Sequence, residues 1–172
     1  MNTYEAILKR RSCKKYKSDA VPTELIDKVI TAGLYAASGL NRQAPIIIAV
    51  TDKATRDALA AQNAAIMGKS DFDPFYNAPA VLVVLADKAC NTYIYDGSLA
   101  LGNMMLAAEE CGLGSCWIHR AKEEFESEEG KALLAKLGIE GDYEGIGHLI
   151  LGYSDQGEKE APPRKENRVY RV

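Results

Sequence analysis

Pattern alone predicts an α/β chain with a parallel sheet, and three observations carry that class. Segments of helical and of strand period alternate along the sequence, as they do in βαβ proteins. The run Ala80 to Ala86 (AVLVVLA) is apolar at every position, the pattern of a strand buried on both faces at the centre of a sheet. At 172 residues the chain has the length of one domain, with room for a core that needs neither disulfides nor metal. Two features weigh against a parallel sheet. No strand leads into a glycine fingerprint: Gly112-Leu113-Gly114 follows a helical segment and lacks the third glycine. The polar, basic tail from residue 154 is also long for an idle terminus, and suits a dimer in which it wraps a partner.

Taken in order, residues 3–11 read as a short helix with Tyr4, Ile7 and Leu8 on one face and Asn2 or Thr3 as cap. A second helix starts near Pro22, aligns Leu25, Ile26, Val29, Ile30 and Leu34, and gives way at Ser38-Gly39. Pro45 introduces a strand, Ile46 to Val50. Residues 52–67 form an Ala-rich helix stopped by Gly68. After the central strand, Asp96 to Cys111 are nearly all apolar or small, which predicts a helix buried all round and capped by Gly112. Ser115 to Ile118 make a short strand. Residues 122–137 read as one acidic, exposed helix ending at Gly138, and Ile146 to Tyr153 as a further strand. Val169 to Val172 offer a last short strand in the tail.

Charge is unevenly placed. Six of the twenty-one Lys and Arg residues lie at positions 9–17, and five more in the last fourteen residues, while 18–157 hold ten basic against twenty acidic ones. An acidic body with two basic ends holds an anion if the ends meet in space, or lies on a polyanion if they do not. A nucleic-acid module needs interleaved aromatics or a recognition helix, and only Tyr16 lies near the first basic run. Four cysteines without a C-x-x-C pair and two histidines do not make a zinc site, which takes about four close-spaced ligands. No apolar run reaches the ~18–20 residues of a membrane span, and no signal h-region opens the chain. Free thiols without a secretion signal imply a reducing cytoplasm.

Three segments could carry chemistry. Arg10, Ser12 and Lys14 sit at alternating positions of an extended segment and suit a phosphate-bearing ligand, or are simply a solvated basic stretch. Ser38 to Gln43 (SGLNRQ) join a glycine that allows close backbone approach to an Asn with both donor and acceptor, as an amide-edged heterocycle requires; an ordinary helix stop reads the same way. Gly112 to Trp117 (GLGSCW) allow close approach of a flat ligand, or are a glycine cap before a core strand. His119, with no Ser, Cys or Asp partner at a recognisable spacing, is weak evidence for acid–base chemistry.

The order of motifs says more than any one of them. R-R-S-x-K-K-Y at 10–16, A-S-G-x-N-R-Q at 37–43, D-P-F-Y-N-A-P at 73–79, G-L-G-S-C-W-I at 112–118 and P-P-R-K at 162–165 resemble the nitroreductase family of FMN-dependent oxidoreductases, over essentially the whole chain. The resemblance implies an α+β fold in place of the parallel sheet: a central mixed, mostly antiparallel sheet flanked by helices. The chain would be a single FMN-binding domain over 1–172, with 154–172 exchanged between the subunits of a homodimer. It implies that Arg10, Arg11 and Ser12 meet the phosphate and ribityl chain, that Lys14 lies near the flavin pyrimidine, and that Arg164 and Lys165 complete the phosphate site. Ser38, Gly39 and Asn41 would come from the partner subunit, Asn63 would face the ring, and Gly114, Ile118 and His119 would border the ring edge and N5. NADH or NADPH would be the co-substrate and a nitroaromatic, quinone or similar small electron acceptor the oxidant, in ping-pong turnover, with no catalytic side chain, no nucleic acid and no membrane. A flavoprotein of the same fold with another reaction, such as dehalogenation or substrate oxidation, is the alternative, and a cofactor-free basic module the more distant one. Two departures from the family pattern stand out: no aromatic follows Gln43-Ala44-Pro45, and His119-Arg120 replace an acid and a glycine. Phe72, Phe75 and Tyr76 are candidates for a lid over the pocket.

Overall fold

The computed structural model describes residues 2–157 and 159–172. Four strands form one sheet in the order β1-β2-β4-β3: β1 (Pro45–Val50), β2 (Ala80–Asp87), β3 (Gly114–Ile118) and β4 (Tyr143–Gly152). Every neighbouring pair is antiparallel, with Ile47 opposite Val84, Val83 opposite His148, and Cys116 opposite Ile150. The parallel sheet suggested by alternation is thus overturned, and the α+β class implied by the family resemblance holds. Alternation misleads here because the connections from β1 to β2 and from β3 to β4 return the chain to the end where the preceding strand finished, while β2 and β3, which run the same way, are separated by β4.

Among the described residues, six α-helices complete the fold: α1 (Thr3–Lys9), α2 (Thr23–Leu34), α3 (Lys53–Ile66), α4 (Tyr93–Glu110), α5 (Ala121–Glu126) and α6 (Glu128–Lys136). The side-chain period of two divides β2 between two cores. Leu82 and Val84 pack with Val29, Leu101, Met104 and Leu149 on the side of α2 and α4. Val81, Val83 and Leu85 pack with Leu59, Phe75, Phe125 and Ile150 on the side of α3 and α5. A strand covered on both faces must be apolar throughout, which is why AVLVVLA was legible as central.

Some expected elements differ. The helix α1 ends at Lys9 rather than 11, because Arg10 turns to an extended conformation. The helix α4 starts three residues before Asp96, and it is not buried all round: Ile94, Tyr95 and Leu99 stand exposed opposite the face that packs on the sheet. The acidic stretch 122–137 is two helices. Ser127 adopts ψ 164°, donates to Glu124 O at 2.6 Å and accepts from Gly130 N at 3.1 Å, so it closes one helix and caps the next. A Cβ at Gly130 would lie 2.1 Å from Glu124 O, so glycine makes this corner possible. Val169 to Val172 form no strand in this chain; Val169 and Tyr170 are exposed.

Candidate active site

A long-range stitch builds the site. After α1 the chain runs along the outer edge of β3. Ser12 bridges Ser115 in the parallel sense, Cys13 N donates to Ser115 O at 2.9 Å, and Lys17 N donates to Tyr153 O at 2.9 Å. Gln156 reinforces the seam, accepting from Lys14 N and donating to Ser12 O, both at 3.1 Å. Extended backbone sends alternate side chains to opposite sides. Cys13 turns inward, where a Cβ on Gly114 would lie 2.7 Å from its sulfur. The glycine therefore makes room for the N-terminal segment.

Ser12 and Lys14 turn the other way, into a cleft of about 380 Å³. Cys116 to Arg120, at the end of β3 and in the turn after it, line the cleft, together with Met67, Phe72, Pro74 and Tyr76. Among the described residues, two permanent cations, Lys14 and Arg120, line it and no carboxylate does. Flat walls with cationic donors suit a planar, anionic ligand. The Lys14 ammonium lies 5.5 Å from the Tyr76 ring centroid, and Phe72 meets Tyr76 edge-on at 5.4 Å. Burial pushes the Cys116 thiol above its ordinary pKa, against the opposing pull of the Ser12 hydroxyl and the Lys14 and Arg10 charges. It is therefore a neutral lining group rather than a nucleophile.

The aromatic segment is fixed in place. Asp73 accepts from Phe75 N at 2.8 Å and Asn77 N at 2.7 Å, and pairs with the buried guanidinium of Arg56. Arg56 also donates to Ala78 O at 3.1 Å. These bonds hold Tyr76 and Asn77 in left-handed backbone conformations. Phe75, one of three lid candidates, is fully buried in the core; only Phe72 and Tyr76 reach the cleft.

The turn after β3 is held from beneath. Asn63, which the resemblance places against the ring, is fully buried, with both ends of its amide engaged. Its Nδ2 donates to His119 O at 2.9 Å and its Oδ1 accepts from Arg120 Nε at 2.9 Å. Arg120 starts α5 with φ 78°, and four residues on, Glu124 meets His148 of β4 with 2.5 Å between Oε2 and Nε2, both residues fully buried. That pair ties α5 to the strand paired with β3.

The other expected site residues are dispersed. Arg10 is partly buried at the root of the segment and near enough for its charge to act on Cys116. Arg11 and Gly114 line a different hollow of about 620 Å³, which Lys9, Lys159, Glu109 and Glu110 share. Ser38, Gly39 and Asn41 lie at a 3₁₀ turn (Gly39–Asn41) against the start of α4, where Gly39 N donates to Asp96 Oδ1 at 3.1 Å and Thr92 donates to the same carboxylate at 3.0 Å. Arg164 and Lys165 are exposed. Among the described residues, the tail beyond 160 makes hydrogen bonds only within itself.

Sequence reasoning missed Arg56, Asp73 and Asp96 as positioning residues. An acid in the first turn of a largely apolar helix was the available signal for Asp96.

Comparison with known proteins agrees with this architecture. The model of the Nitroreductase family matches residues 7–153. Two curated relatives carry the provisional name NADH dehydrogenase/NAD(P)H nitroreductase. That of Methanothermobacter thermautotrophicus is 30% identical, over 68% of this chain and 60% of the relative's own length. That of Archaeoglobus fulgidus is 32% identical, over 86% of this chain and 82% of the relative. A solved nitroreductase with bound FMN from Bacteroides fragilis superposes with a TM-score of 0.89 at 25% identity, over 100% of this chain and 99% of that one.

Proposed function

The chain belongs to the nitroreductase family, and on that premise we propose that it is an FMN-dependent oxidoreductase which uses NADH or NADPH to reduce a nitroaromatic, quinone or similar small electron acceptor. The observation that carries this reading is the cleft: Ser12 and Lys14 among flat aromatic walls, with no carboxylate among the described lining residues, fit a planar ring system bearing a phosphate. When bound, FMN supplies the hydride relay through its N5, so that donor and acceptor use one pocket in turn.

In this reading Arg10 and Ser12, joined by Arg164 and Lys165, hold the phosphate by charge-assisted hydrogen bonds. Lys14 sets a positive charge beside the pyrimidine end of the ring, where reduction accumulates negative charge; in a partly dry site such an interaction is worth a few kcal/mol at ~4 Å. Ile118 and His119 border the ring edge, in a turn that Asn63 keeps in place. No side chain is assigned as catalytic, because these acceptors can take their protons from solvent.

The active form is proposed to be a homodimer in which residues 154–172 cross to the partner subunit and Ser38, Gly39 and Asn41 serve the partner's site. Exposed Ile94, Tyr95 and Leu99 on α4, with Leu34 and Tyr35 at the end of α2, support it as apolar surface in search of cover. Among the described residues no helix is long and apolar enough to cross a membrane. The four cysteines are unpaired, in keeping with a proposed cytoplasmic location.

The test is ligand-selective. Purified protein should hold FMN near one per chain and bleach anaerobically with NADH or NADPH. Arg10→Ala should weaken FMN about ten- to a hundredfold and riboflavin hardly at all, since each phosphate contact is worth ~1.5–3 kcal/mol. Equal losses for the two ligands, measured by fluorescence titration, would remove Arg10 from the phosphate.

A further inference from the structure

We infer that Arg120 determines substrate choice, its guanidinium receiving the anionic group of a substrate whose aromatic ring occupies the cleft. The inference rests on the oxidoreductase reading and adds the class of molecule that the site selects.

The backbone at Arg120 has φ 78° and ψ 11°, a left-handed conformation in which glycine is the low-cost residue. An arginine there meets strain that glycine would avoid, so it is kept against the local preference. Its side chain is not left to wander. Nε donates to Asn63 Oδ1 at 2.9 Å, and Asn63 is fully buried with its own Nδ2 committed to His119 O at 2.9 Å. That second bond fixes which way the amide faces, so its oxygen points to the guanidinium. One edge of the fork is thereby anchored. The two terminal nitrogens have no hydrogen-bond or ion-pair partner among the described residues, and no carboxylate lines the cleft to neutralise them. A planar fork with free terminal N–H groups matches carboxylate and phosphate oxygens. Phe72, Tyr76 and Trp117 line the same cleft and supply surface for a ring. Lys14 does not duplicate the role, because its ammonium lies 5.5 Å from the Tyr76 ring centroid and the proposed function has it serve the ring of the cofactor.

Two substrates can bring such an anion: an acceptor with a ring carboxylate, or the pyrophosphate or phosphate of the nicotinamide donor. Stopped-flow half-reactions on the FMN-loaded enzyme separate them. For the oxidative half, 4-nitrobenzoate is compared with nitrobenzene. For the reductive half, NADH and NADPH are compared with 1-benzyl-1,4-dihydronicotinamide, which has no phosphate. Arg120→Gly suits the backbone and removes the fork, while Arg120→Lys keeps the charge without the fork. Arg120→Gly should weaken the anionic member of one pair about ten- to a hundredfold, as loss of a charge-assisted contact does. The neutral member should change less than about twofold, and Arg120→Lys should recover part of the loss. The pair that responds identifies the anion's source.

Oxidised enzyme gives a readout without turnover: benzoate titrated against flavin absorbance should bind wild type and not Arg120→Gly. Equal changes for charged and neutral members of both pairs, or a parallel loss of FMN in Arg120→Gly, would overturn the inference. Wild-type protein that neither holds FMN nor bleaches with NADH or NADPH would instead sink the oxidoreductase reading. Arg120 would still be tested in that case, because Trp117, the chain's one tryptophan, lines the cleft and reports benzoate by fluorescence. Benzoate then binding wild type and Arg120→Gly alike would overturn the inference, and binding wild type alone would uphold it.

Discussion

The segment that carries Ser12 and Lys14 is sewn to β3 and to the end of β4 by main-chain hydrogen bonds, whereas the segment that carries Arg164 and Lys165 bonds only to itself among the described residues. In sequence the two look alike, both basic, polar and extended. The difference is what each finds beside it. The first meets a strand edge with unpaired amides and carbonyls, a glycine that leaves space for Cys13, and the side chain of Gln156. The second leaves the body with exposed Val169 and Tyr170 and pairs with no strand of this chain among the described residues. A basic run becomes half of a binding site only where backbone pairing holds its alternate side chains to one side.

The strongest way to break this contrast is to remove its second member. Deletion of residues 159–172 should yield a monomer that no longer retains FMN, with flavin binding that becomes dependent on protein concentration. Size-exclusion chromatography read at protein and flavin wavelengths checks this, and a truncated protein that stays dimeric and yellow would refute the exchanged arm. The next effect falls on the sewn half. Glu124→Leu leaves the buried His148 ring without its polar neighbour, and an unsatisfied buried polar group costs about 1–3 kcal/mol. Urea unfolding should show that loss, and a change under 1 kcal/mol would mean the contact contributes little. Asn63→Ala removes the partners of His119 O and Arg120 Nε and should cost about 1–3 kcal/mol. With chain and tail otherwise intact, it should also loosen FMN while the dimer persists, separating the two regions cleanly. The smallest effect belongs to Asn2→Ala, which deletes the capping box of α1 and should cost about 1 kcal/mol. Thermal unfolding resolves it, and FMN affinity should follow only slightly, because the segment after α1 is held by β3.

What could be read in the sequence follows the same division. The apolar run of β2, the Asn2 cap of α1, and the glycine ends at Gly68, Gly112 and Gly138 depend on neighbours a few residues away, so propensity and period express them. Strand direction does not, since it depends on where each helix returns the chain. That is why the alternation of elements pointed to a parallel sheet and the ordered motifs pointed to the antiparallel one. The exposed face of α4 was read as buried because composition records apolarity and not what covers it. At the site, Ser12, Lys14, Ile118 and His119 were named from the sequence and share one cleft. Arg120 was noticed only as a departure from the family pattern and given no role, because its backbone angle and its bond to a buried amide 57 positions away leave no local pattern.

The seam between residues 12–17 and residues 115–156 also sets a timetable. Lys14 is made well before its hydrogen-bond partner Gln156, which lies 142 positions later. At a synthesis rate of about 5–20 residues per second, the N-terminal segment waits on the order of ten seconds for the strand edge that will receive it. Contacts so distant in the chain form only after the loop between them has closed. A nascent chain on the ribosome therefore carries a basic, unpaired N-terminal ribbon without a cleft. Loading of any ligand that needs Ser12 and Lys14 held together by this seam follows synthesis of residue 156, and a ribosome stalled before it would hold a chain without the completed seam.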